Sequence, residues 1–184
     1  MPQTKRKVTL QQLKKALASK TDSVRYNAIF DFVNSDITAE AVPTLLESLK
    51  DSYPGVARYA AVGLGKLGPI TKEYGRPQLD IPQVIWGLIA AARRIDADTD
   101  MPQSYPDCLE ALVKIDPEND LIVGLIHDQI GLTNWYPLKA SLQALKAIGT
   151  NEALDLLSRA VAFWIPELDK KQKRIVQEIV KGKR

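Results

Sequence analysis

Asp96, Asp98 and Asp100 alternate, a spacing that in a turn could bring carboxylates onto a hard cation such as Ca²⁺. The pattern departs from a calcium loop where glycine and glutamate are needed, since Met101 and Asp107 stand there, so a solvated acidic turn is expected. His127 has no second His or Cys within a helical turn, and no metal site is expected around it. Cys108 is the single cysteine, which excludes an internal disulfide framework and a multi-cysteine zinc site. It aligns with Ala60 and Ser141, small residues of predicted helices, and is expected to be a buried structural thiol. GLGKLG at 63–68 has the composition of a phosphate loop, but it is placed at the end of a predicted helix rather than before one. No GxSxG, HExxH or CxxC motif is present, and nothing assembles a nucleophile, a base and oxyanion donors. The expected reading is therefore non-enzymatic, without catalytic residues, metal or cofactor.

The aromatic residues carry the remaining chemistry. Tyr53, Tyr105, Trp135 and Tyr136 fall just before or at the start of helices predicted to be second in their pairs. Tyr26 and Tyr59 stand 33 residues apart, each directly after an arginine, Arg25 and Arg58. Stacked repeats turn such positions into a ladder along one surface, and rings interleaved with guanidiniums suit a peptide or exposed nucleobases. The candidate partner-binding set is Tyr53, Tyr105, Trp135, Tyr136 and Lys139, with Tyr74 and Arg76 from an inserted segment. Trp86 and Trp164 lie in predicted first helices among apolar neighbours and are expected in the core.

The elements that must position these residues repeat. AAVGLGKLG (60–68), CLEALVKID (108–116) and SLQALKAIG (141–149) align without gaps, at offsets of 48 and then 33 residues. Each has Leu at the fifth place (Leu64, Leu112, Leu145) and Leu or Ile at the eighth (Leu67, Ile115, Ile148). Outer copies end near 35 and 182, slipped by about one residue, as capping repeats commonly are. Each unit holds two stretches of 3.6-residue periodicity, giving predicted helices Thr9–Ser19, Asp22–Asn34, Thr38–Lys50, Pro54–Leu67, Pro82–Ile95, Ser104–Ile115, Pro117–Ile130, Tyr136–Ile148, Asn151–Ile165 and Glu167–Lys181. Thr38 and Thr150 mark helix starts, and Gly68, Gly149 and Gly182 mark exits through the left-handed region. Pro54, Pro82, Pro106, Pro117, Pro137 and Pro166 stand at or just inside starts, where a missing N–H costs nothing. The sequence thus predicts an all-α chain of about five hairpins forming one domain. Its repeats run at about 8–35, 38–68, 82–116, 117–149 and 150–182, with an inserted non-helical loop at 69–81.

Charge is distributed unevenly along the 184 residues, whose total is +3. Residues 1–25 carry seven basic groups against Asp22, and 167–184 carry seven against Glu167, Asp169 and Glu178. Residues 26–166 hold 11 basic and 18 acidic residues. Basic ends fit the capping of a stack, and the acidic middle argues against tracking along nucleic-acid phosphates. No apolar run reaches about 18 residues, so no membrane span is expected. The N-terminal MPQTKRKVTLQQ lacks the apolar core of a secretory signal, so a cytoplasmic protein is expected.

At DSYPGVARYAAVGLGKLG (51–68), the order Asp51, Val56, Arg58, Ala60-Ala61, Leu64-Gly65 and Leu67-Gly68 resembles the second helix of a HEAT repeat. It is closest to the short bacterial HEAT-like type also found in phycobilin lyases. TDSVRYNAIFDFV (21–33) is a weaker echo, through Asp22, Val24, Arg25 and Ala28. The resemblance implies a right-handed α-solenoid with an inner, concave layer of second helices, in which Asp51 and Arg58 support stacking. HEAT scaffolds serve unlike partners, so three functions follow. The leading one is a protein-binding scaffold using the second-helix surface and the 69–81 loop. The first alternative is a nucleic-acid or DNA-repair module, with Trp135 beside Asp107 or Asp128. The second is a lyase-type accessory protein handling a bilin.

Overall fold

The computed structural model describes residues 8–73, 81–94, 104–131 and 134–181, and among them every regular element is helical. The chain begins with α1 (Leu10–Leu17) and α2 (Asp22–Val33). A 3₁₀ turn (Ala39–Ala41) leads into α3 (Val42–Ser48), followed by α4 (Pro54–Glu73), α5 (Ile81–Arg93) and α6 (Tyr105–Ile115). Then come α7 (Asp120–Gln129), α8 (Trp135–Ile148) and α9 (Asn151–Trp164), with a second 3₁₀ turn (Ile165–Glu167) before α10 (Lys170–Lys181). The all-α class is as the periodicity predicts. The chain divides into two compact units, Met1–Ile115 and Asp116–Arg184.

Local chemistry explains most helix ends. Thr9 and Gln12 form a reciprocal capping box at the start of α1. Asn119, Asn134 and Thr150 each accept a backbone N–H in the first turn of α7, α8 and α9. Gly149 closes α8 at φ 67°, the only glycine among the described residues in the left-handed region. Thr38 departs from expectation: its side chain makes no cap, and its carbonyl instead accepts the Ala41 N–H of the 3₁₀ turn. Gly182 lies outside the described residues.

In the first unit each odd-numbered helix packs on the even-numbered helix that follows, while α2 packs on α4 and α4 on α6. The core is mainly aliphatic and includes Leu13, Ile29, Leu45, Leu64, Leu88 and Leu112, all essentially sealed from solvent. Burying each such side chain contributes roughly 1.5–3 kcal/mol. The most extensive interface, between α4 and α6, depends on two missing side chains. A Cβ on Gly65 would lie 3.0 Å from the Ala111 Cα, and one on Gly68 would collide with Ile115 Cγ1.

This packing corrects two expectations about 63–81. Gly68 is not a helix exit, and GLGKLG neither ends nor opens a helix: α4 runs on through Pro69 to Glu73. An interior proline costs an isolated helix about 3 kcal/mol. The inserted segment is therefore shorter than 69–81 at its start, and Ile81 already belongs to α5. Trp86 is likewise not in the core. Val84, Ile85, Leu88, Ile89 and Ala92 form the buried stripe of α5, leaving Trp86 on the other face, 57% exposed.

In the second unit α8 packs against α7, α9 and α10. Trp164 is half-buried, as a partial core residue, and its indole N–H donates to the Ile130 carbonyl at 2.9 Å, closing the end of α7. α10 buries Val176 and turns Lys170, Lys171, Arg174 and Lys181 outward. Among the described residues no helix is long and apolar enough to cross a membrane.

One device recurs in both units. The Lys66 ammonium of α4 donates to the Val33 carbonyl at the end of α2, at 2.7 Å. The Lys146 ammonium of α8 donates to the Val180 carbonyl in the last turn of α10, at 3.1 Å. Both place a cation on free carbonyls at a helix C-terminus.

Candidate functional site

The second helices of the first unit are cross-linked by arginine and aspartate. Arg25 of α2 is forked on Asp51, which precedes α4, through Nε at 2.7 Å and Nη2 at 2.8 Å. It also donates to Asp22 and to the Ser19 carbonyl. Both members of the Arg25–Asp51 pair are about nine-tenths buried. One step along, Arg58 of α4 donates to Asp107 of α6 at 2.8 Å, with the guanidinium half exposed. Asp51 also accepts the Tyr53 backbone N–H. Burial pushes the Asp51 carboxyl up, but Arg25, the Tyr53 N–H and the charge of Arg94 outweigh it and hold the carboxyl below the usual range.

These clamps align two helices whose tyrosines then meet. Tyr26 lies at the centre of four rings, edge-on to Tyr53 at 5.9 Å and to Tyr59 at 5.6 Å, and stacked on Phe30 at 6.2 Å. Phe30 and Tyr59 close the set edge-on at 5.0 Å. Gly55 makes room, since a Cβ there would lie 2.8 Å from carbons of both Tyr26 and Tyr53. Burial among the rings pushes the Tyr59 hydroxyl up, with Tyr26 alongside adding to it. Phe30 and Tyr53 nevertheless keep more than a third of their surface in solvent. The result is a partly open aromatic face spanning α2 and α4.

Of the residues nominated from sequence, Tyr53 belongs to this face. Tyr105 does not: it is fully buried, because α6 turns its first residue inward with Cys108, Leu109 and Leu112, so it is a core residue and no contact surface. Trp135 and Lys139 are half-buried in α8, beside Tyr136, which is among the most exposed large side chains described. Tyr74 and Arg76 lie outside the described residues, as do Asp96, Asp98 and Asp100. The pairing of Tyr26 with Tyr59 follows the 33-residue spacing, whereas Phe30 and Gly55 were missed. The signal for Phe30 was present, since it stands four residues after Tyr26 on the same helix face. Phe163, 70% exposed and edge-on to Trp164, was also missed.

Other chemistry is sparse. Cys108 is sealed, and burial pushes its thiol far up, away from reactivity. His127 is exposed on α7. Among the described residues no group of three or more His, Cys, Asp or Glu side chains converges as a metal site. A cleft of about 510 Å³ opens on the first-helix side, lined by Lys14, Leu17, Pro43, Thr44, Glu47 and Asp51 among others. Its carboxylates are engaged, Glu47 by Lys50 and Asp51 by Arg25. No protein-family model matches the chain, and no curated protein sequence matches it.

Proposed function

We propose that the chain is a helical-repeat scaffold, a HEAT-like α-solenoid, that holds a protein partner on the surface of its second helices, the layer expected to be concave. The observation that carries this reading is the four-ring cluster of Tyr26, Phe30, Tyr53 and Tyr59, left partly open where a core cluster would be sealed. Rigid, clustered aromatic residues are the usual anchors of protein interfaces. The ordering of α2, α4 and α6 by consecutive arginine–aspartate clamps supports the repeat reading. It also weighs against a nucleic-acid module, because the arginines beside the rings already hold carboxylates and are not free for phosphates.

The test is capture from host lysate by the intact chain and by a Tyr26→Ala/Tyr59→Ala variant, both treated with nuclease. Mass spectrometry is expected to find a stoichiometric protein with the first and at least a tenfold loss with the second, whose helical circular dichroism is retained. Equal recovery by both chains would remove the tyrosine face from the proposal. Recovery that vanishes with nuclease would replace a protein partner by a nucleic acid.

A further inference from the structure

We infer that the solvent face of α10 is a docking surface for an anionic lipid bilayer, with Lys170, Lys171, Arg174 and Lys181 set against the headgroups. It does not depend on the tyrosine face, which belongs to the first unit. The second unit carries its charge unevenly. Residues 116–169 hold three basic and eight acidic residues, whereas α10 alone holds five basic residues against Glu178. Helical geometry then sorts those cations. Lys170, Arg174 and Lys181 stand at i, i+4 and i+11, within about 40° of one another around the axis, in a row roughly 16 Å long. Lys171 flanks the row, and all four side chains are exposed. Val176 is buried on the far side, where α10 packs on α8.

The row is free to bind. Among the described residues none pairs with Lys170, Lys171 or Lys181. Arg174 meets Glu178 of its own helix, with the two side chains 82% and 64% exposed. Nor is Lys181 needed to close the helix, because Lys146 of α8 already donates to the Val180 carbonyl. Lys173 stands apart, half-buried and donating to the Pro166 carbonyl at 3.4 Å. The side-chain types select the occupant. Nucleic-acid recognition favours arginine, whose fork holds two oxygens at once, and the one arginine here is shared with Glu178. Lysine is a flexible point charge, suited to a surface whose charge is spread over moving headgroups. Four to eight basic residues on an amphipathic helix are the pattern that anionic phospholipid attracts. Val180, 41% exposed, flanks the row on its other side and adds an apolar contact at the headgroup boundary. The main apolar face is spent on α8, so attachment is electrostatic and reversible.

The experiment is flotation of the intact chain with vesicles of phosphatidylcholine, alone or with about 30% phosphatidylserine. The chain is expected to float with the anionic vesicles only, and to be released by about 0.5 M salt. Lys170→Gln/Lys171→Gln/Lys181→Gln should weaken partitioning about a hundredfold, at roughly fivefold per lost charge, and leave the thermal melt unchanged. Lys14→Gln/Lys15→Gln/Lys20→Gln removes as much charge from exposed positions of the first unit and should float as the unaltered chain does. Equal flotation with neutral vesicles, or none with anionic ones, overturns the proposal. Equal loss in the two triple variants reduces the effect to net charge and removes α10 from it. Binding to a duplex oligonucleotide that persists in salt at which the vesicles release the chain overturns the lipid occupant in favour of a nucleic acid.

Discussion

Replacing Arg25 by alanine will destabilise the first unit by about 3–5 kcal/mol, the range seen when one partner of a buried ion pair is removed. The size follows from what is left behind. Asp51 is 12% exposed and would keep its charge with the Tyr53 N–H as its nearest hydrogen-bond donor. Asp22 would lose its Arg25 contact too, but it is mostly in water, where such a loss is worth well under 1 kcal/mol. Urea unfolding followed by circular dichroism measures the change. The double replacement Arg25→Met/Asp51→Leu should recover most of it, because an apolar pair of similar volume leaves no charge stranded. A loss below about 1 kcal/mol for Arg25→Ala would mean that water reaches the pair as it reaches surface ion pairs.

Acid gives the same clamp a second signature. The folded Asp51 carboxyl lies below its unfolded value of about 3.9, so its contribution is complete above about pH 4 and is lost as pH falls through the folded value. Arg25→Met should shift the Asp51 titration, followed by carboxyl NMR, upward, because burial then acts without its counterweight. It should also abolish this part of the acid sensitivity.

Gly68→Ala is the second large effect, expected to destabilise by about 1–3 kcal/mol although alanine is the better helix former by about 1 kcal/mol. The new methyl would strike Ile115 Cγ1 and stand 3.1 Å from the Ile115 Cα, which is backbone and cannot rotate away. α4 and α6 would have to separate, opening the contact that also contains Gly65. Gly124 supplies the contrast. It lies within α7 with nothing within 4 Å of its added Cβ, so Gly124→Ala should gain about 0.5–1 kcal/mol. Thermal melts of the two variants should therefore move in opposite directions. A gain at both positions would show that α4 and α6 have slack at Gly68.

The same glycine shows where reading from sequence stopped. Helix starts were legible because their signals are local: Thr150 caps the turn it precedes, and Gly149 takes the left-handed conformation at the end of its own helix. Gly68-Pro69 carries the same local signal as a helix exit, yet the demand for glycine comes from Ile115, 47 positions along the chain. Tyr53 and Tyr105 hold equivalent places before or at the start of second helices, but one is open and the other sealed. The difference is helix phase, because Tyr105 is already the first residue of α6 while Tyr53 precedes α4. Trp86 was misread since α5 is apolar on nearly every side, and only the packing partners reveal which side is covered. Asp51 and Arg58, to which the resemblance assigns a stacking role, each form an ion pair with a neighbouring helix. The pairing is staggered along the chain: Asp51 takes Arg25 of α2, and Arg58 takes Asp107 of α6.

Lys66 and Lys146 bear on how two helix tips come apart. A helix end ordinarily frays from its tip, since its last carbonyls trade a weak bond for water. The tip of α2 is instead held by a side chain from the next hairpin, and the tip of α10 by one from α8. Unwinding either tip must first break that bond, which adds about 1 kcal/mol to the cost of local opening. Amide protons in the last turns of α2 and α10 should therefore exchange faster when Lys66 or Lys146 is replaced by methionine.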